Sequence, residues 1–127
     1  MAQEVRVMRP SSFVETGGTT VTFPVSLTGA DLSSVTEVVK APVAGSRIIV
    51  TGVLFHNSKT DSKWFKLQEN TASASDVMQK FYIDSSRSEL FCFPHGIAIT
   101  EAVNLGVVSE SNDTEQGVVI FGYVDYC

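Results

Sequence analysis

The stretch 47-RIIVTGVLFHN-57 is apolar on both side-chain parities, with Ile49, Val53 and Phe55 on one and Ile48, Val50 and Leu54 on the other. A strand with one wet face alternates, so this run reads as a strand covered on both faces. Its β-branched residues favour strand over buried helix. Gly45-Ser46 before it and Asn57-Ser58 after it are turn formers that bound its length. It is expected to be the central strand of a packed β-sheet domain.

Working upstream, Thr19–Leu27 alternates, with Val21, Phe23, Val25 and Leu27 on one parity. Pro24, on the other, has no N–H to give a ladder, which places this strand at an edge or a bulge. Residues 1–18 read as an extended N-terminal arm, weakly alternating over Gln3–Met8 and ending in the turn Thr16-Gly17-Gly18-Thr19. Ser33–Lys40 is open between two readings. Asp31 suits a helix cap and Leu32, Val35, Val38 and Val39 recur at helical spacing, but β-branched content and the approach of Pro42 favour a strand.

Downstream the segments are short. Ser62–Glu69 alternates around Phe65 and Leu67, Asn70–Asp76 is a polar loop, and Met78–Asp84 and Glu89–Phe93 read as strands. Pro94-His95-Gly96 marks a corner before Ile97–Thr100; Ala102–Val108 follows, then the hydrophilic loop Ser109–Glu115. Gly117–Tyr126 closes as a second long run, apolar on both parities. About eight antiparallel strands, turn signals every ~8–12 residues and no convincing helix indicate an all-β fold. The expected architecture is a single β-sandwich or jelly roll over residues 19–127, preceded by the arm.

At 127 residues, 43% apolar and 18% charged, the chain fits one folded domain. A net charge of −5 and scattered basic residues argue against nucleic-acid binding. Lys59, Lys63 and Lys66 fall close together, as a solvated strand face would place them. The start MAQEVRVMRP lacks the apolar core of a secretion signal, and no stretch approaches the roughly 18 apolar residues of a membrane span. Synthesis in a reducing cytoplasm follows as the expectation. Cys92, in LFCFP, is expected to be an inert buried thiol, whereas the terminal Cys127 suits an exposed one.

Chemistry-bearing patterns are sparse. His56 and His95 belong to no zinc-binding spacing, and a Cys92–His pair would need a third, orienting group. There is no phosphate loop and no nucleophile elbow. Glu110–Glu115 lacks the order of a calcium loop, although carboxylates distant in sequence can still meet as a hydrolase pair. No cofactor, metal or catalytic residue is expected, and the chain reads as a non-enzyme. Trp64, Tyr82, Tyr123 and Tyr126 admit two readings, a sugar platform or core and interface aromatics. Trp64 shares the parity of Lys66 and Gln68, which turns its ring outward.

The segments VVKAPVAGSRIIVTGVLFHN and KWFKLQENTAS, the later FCFPHGIAIT with AVNLGVVSES, and the closing GVVIFGYVDY together give a recognisable pattern. From about Glu37 to Tyr126 the chain resembles the small all-β accessory proteins of tailed-bacteriophage virions. That resemblance implies a capsid decoration (cement) protein on the head surface, whose partners are the major capsid protein and itself, as a homotrimer. Neck, tail or fibre modules, some of them carbohydrate-binding, are the alternative. Under the cement reading the arm and edge strand supply the interface: Val5, Arg6, Val7, Arg9, Phe13, Val21 and Phe23, with Trp64 nearby. No nucleic acid and no membrane enter, and sugar enters only under the alternative.

Overall fold

The computed structural model describes residues 12–72, 75–110 and 116–126. Among them every regular element is a strand and every pairing is antiparallel. In chain order these are β1 (Ser12–Val14), β2 (Thr20–Thr22), β3 (Val25–Ala30), β4 (Thr36–Val39), β5 (Ser46–Asn57) and β6 (Lys63–Glu69). There follow β7 (Ser75–Asp76), β8 (Phe81–Ile83), β9 (Arg87–Ala98), β10 (Leu105–Ser109) and β11 (Gln116–Tyr126). One sheet has the order β3-β11-β5-β9; the other runs β4-β10-β6-β7, with β8 also paired to β6; β1 and β2 form a separate hairpin. Within Ser33–Lys40 the strand reading holds for Thr36–Val39, and Pro24 lies in the break between β2 and the edge strand β3.

The run that suggested a strand covered on both faces has a more specific cause. Phe121 pairs with Gly52 and Gly122 with Val50, so Thr51 is an extra residue in β5. Such a bulge transfers the core face from one parity to the other. Ile48 and Val50 point into the core before it, Val53 and Phe55 after it, and all four are fully buried. Ile49 and Leu54 lie on the opposite, outer face. The bulge continues into β9: Val50 pairs with Ile97 but Gly52 with Cys92, leaving Phe93-Pro94-His95-Gly96 looped out. The expected Pro-His-Gly corner is thus a bulge inside one long strand, with Gly96 in the left-handed region at φ +71° that a side chain would strain.

A single core joins the two larger sheets. Phe55 of β5 stacks on Phe65 of β6 with ring centroids 5.0 Å apart, and Phe81 and Phe91 close around it at 6.0 and 6.3 Å. Leu67, Leu105 and Val107 from one sheet, with Val118, Ile120 and Val124 from the other, complete it. Each such side chain contributes about 1.5–3 kcal/mol through burial.

The edge of this core is closed by polar groups. Asn57, fully buried, donates from Nδ2 to the carbonyls of Asp61 (2.9 Å), Ile83 (3.0 Å) and Asp84 (3.2 Å), and its Oδ1 accepts from the Lys59 N–H. Gln116, equally buried, accepts from the Ser58 N–H and donates to Asn57 Oδ1. A residue read as a turn former therefore ties the end of β5 to the β8–β9 connection.

Candidate interaction surfaces

The first surface lies where the N-terminal segment enters. Phe13 and Val21 are register partners across the β1–β2 hairpin, and Phe13 meets Phe23 with ring centroids 5.8 Å apart. Phe13 and Phe23 are buried in the core and Val21 packs against it. Their shared parity turns these three, expected at an interface, inward within the chain, where they fasten the hairpin to the body. What remains outward is a ledge of Val14 (48% exposed), Val43 (44%) and Tyr126 (77%). It borders a cavity of about 230 Å³ whose walls include Phe13, Ser46 and Val124. Residues 12–18, placed in the arm by sequence, thus form strand and turn; Val5, Arg6, Val7 and Arg9 lie outside the described residues.

Glu15 holds this hairpin closed. Its carboxylate accepts the Thr19 N–H at 2.8 Å and the Gly17 N–H at 2.7 Å, and its main chain bridges to Pro42. Those two donors, Thr19 first, hold its pKa below the ordinary 4.5. The sign follows: stability from this group is complete above pH 4.5 and is lost as pH falls through the lowered value. Protection of the Gly17 and Thr19 amides, measured against the intrinsic exchange rate at each pH, is expected to fall in that acid window, and in Glu15→Gln at neutral pH. Equal protection of both amides in Glu15→Gln would remove the carboxylate from this role.

The second surface is the outer face of the other sheet. Trp64 on β6 lies directly opposite Tyr82 on β8, and Tyr82 is 66% exposed. The Lys80 ammonium sits 4.3 Å from the Trp64 ring centroid and that of Lys66 sits 5.8 Å from it. Asp76 accepts from Gln68 Nε2 at 2.6 Å and pairs with Lys66 at 3.1 Å, which holds its carboxyl below the usual range. Lys63 likewise pairs with Asp61. Of the four aromatics weighed as a sugar platform, Tyr82 alone joins Trp64; Tyr123 and Tyr126 lie on β11, in the opposite sheet.

The third surface is the outer face of the β3-β11-β5-β9 sheet, which sequence reading did not anticipate. The register lays apolar rows across it: Val119–Leu54–Leu90, then Phe121–Gly52–Cys92. Leu90 is 54% exposed and Cys92 is exposed, which corrects the expectation of a buried thiol. Phe91 and Phe93 take the inward parity on either side of Cys92 and turn it out.

No family model, curated protein or solved structure matches this chain. The surfaces must therefore be read from their own chemistry. The histidines do not assemble with Cys92. His56 is paired with Ser88, its Nδ1 2.7 Å from the hydroxyl, while Cys92 lies opposite Gly52. Among the described residues no group of three His, Cys, Asp or Glu side chains is placed to share a metal ion. Glu110 Oε1 accepts the Trp64 N–H at 3.2 Å; the remainder of the acidic loop lies outside the described residues.

Proposed function

We propose that this chain is a non-enzymatic structural protein of a bacteriophage virion, a capsid decoration (cement) protein that binds the major capsid protein across subunit joints at the head surface. The winding of the sheets carries this reading. With β3, β4, β5, β6, β8, β9, β10 and β11 taken as strands one to eight, the sheet orders become 1-8-3-6 and 2-7-4-5. Two packed antiparallel sheets wound in this order form a jelly roll, an architecture used by viral capsid and lectin domains. The β1–β2 hairpin and β7 are additions to that frame. The apolar ledge at Val14, Val43 and Tyr126 stands at the root of residues 1–11, where a shell contact would bury it. A protein that binds only the assembled shell stabilises it by mass action and needs complementary surfaces rather than an active site.

The test uses heads of the phage that encodes the chain, stripped of decoration. The full chain is expected to co-sediment with them and to raise the temperature at which they release DNA. Removing residues 1–11, which precede the hairpin in the chain, is expected to weaken binding roughly tenfold or more. A full-length chain that remains at the top of the gradient would sink the reading.

A second reading has one observation in its favour. The Trp64–Tyr82 pair on an outward face, framed by Lys66 and Lys80, offers the aromatic surface and polar rim of a carbohydrate site in a tail, neck or fibre module. It predicts glycan-array binding that disappears in Trp64→Ala; an array without hits removes it.

A further inference from the structure

We infer that the outer face of the β3-β11-β5-β9 sheet joins the same face of a second copy, about a twofold axis running along the seam between β5 and β11. The apolar area is wide: Leu54 and Val119 are half-exposed beside the exposed Leu90, and half-exposed Phe121 lies in the next row beside Gly52 and Cys92. Outer faces of antiparallel sheets are ordinarily polar, and a contiguous apolar patch of this kind marks a contact surface.

Charge selects the occupant and the axis. Arg47 and Asp125 are register partners across the seam, bridged at 3.6 Å, with side chains 40% and 47% exposed. The Arg47 Nε–H is shut off from solvent with no acceptor among the described residues, so this guanidinium is only partly used. Turning a second copy over about the seam lays its Asp125 above Arg47 and its Arg47 above Asp125. An axis across the strands would instead bring the Arg47 end over the His56 end and leave both charges unmatched.

Shape agrees with the same axis. Phe121 and Gly52 are also register partners, and the Phe121 ring leans over that glycine, 3.8 Å from where a Cβ would stand, so the two copies' Phe121 rings meet each other beside the axis. Strand β3 begins at Val25, opposite Ile120, while the Phe93–Gly96 bulge of β9 stands level with Val50 to Gly52. On rotation that bulge comes over the segment that precedes β3, with the two sheets aligned. A patch that meets itself closes as a pair. The expected assembly is therefore two copies, in place of the three that the phage resemblance implies.

The experiment is the solution mass of the full chain by light scattering, followed by charge reversal. A mass of two copies is expected. Arg47→Asp and Asp125→Arg should each weaken association roughly tenfold or more, because like charges then face each other across the seam. An equimolar mixture of the two variants should recover the dimer, since every contact across the seam then joins opposite charges although each chain's own pair stays like-charged. A mass of one or three copies, or a mixture no better than its components, overturns the inference. Capsid binding is read separately, so a dimer that ignores capsids would remove the proposed function and leave this inference standing.

Discussion

Phe55→Ala is expected to lower stability by about 3–5 kcal/mol, the range for deleting a fully buried aromatic ring. The site explains why the upper part of that range applies. Phe55 touches rings from three other strands, Phe65, Phe81 and Phe91, and the last two also meet each other at 4.4 Å. Truncation leaves a hole walled by rigid rings on separate strands of two sheets, which cannot collapse without parting strand pairs. For a domain of this size the loss corresponds to a fall in melting temperature of roughly 10–20 °C. Phe55→Leu, which retains much of the volume, should recover part of it. A Phe55→Ala protein melting within a few degrees of the parent would show that this ring is not the joint between the sheets.

Asn57→Asp should be comparably damaging, although it changes one atom's chemistry and almost no volume. The Nδ2 group donates to three main-chain carbonyls, and the substitution turns an oxygen toward all three. An ionised carboxylate there is buried, faces acceptors and has, among the described residues, the Lys59 N–H and Gln116 Nε2 to answer it. Breaking a buried polar arrangement in this way costs about 3–5 kcal/mol. The pH dependence identifies the cause. Desolvation and the facing carbonyls raise the folded-state pKa of the new carboxyl above its unfolded value, so the variant regains stability as pH falls through that range. Chemical denaturation at neutral and mildly acid pH measures this. A deficit that is the same at both would assign it to lost packing instead.

Much of the fold was legible because it rests on local pattern. The span of the central strand, the strand reading of Ser33–Lys40, the inward Phe65 and Leu67 and the edge placement forced by Pro24 all follow from parity, β-branching or a missing donor. The features that escaped depend on which strand lies alongside. An insertion such as Thr51 has no residue signature; it exists only as a mismatch of register against β9 and β11, and it moves the core face from one parity to the other within a single apolar run. The same mismatch made a bulge at Pro94-His95-Gly96 look like a corner and hid the exposure of Cys92. Asn57 carries the composition of a turn and the job of a core group, a distinction set by carbonyls 26 and 27 positions downstream. The apolar outer rows could not be seen before the neighbours of β5 were known, since Leu54 and Val119 are ordinary strand residues until paired.

The place of β11 between β3 and β5 also sets a timetable. The slot it fills is flanked by two strands that precede it by far in the chain, so each keeps an open edge until residues 116–126 arrive. At a synthesis rate of about 5–20 residues per second, the interval between completing β5 and completing β11 is roughly 3–14 seconds. Throughout that time the central strand β5 has no native partner on its β11 side. Folding of this sheet consequently waits for β11 and is governed by distant pairings, in the slow range of two-state domains. The nascent chain, more than the finished one, is the form that needs protection from association.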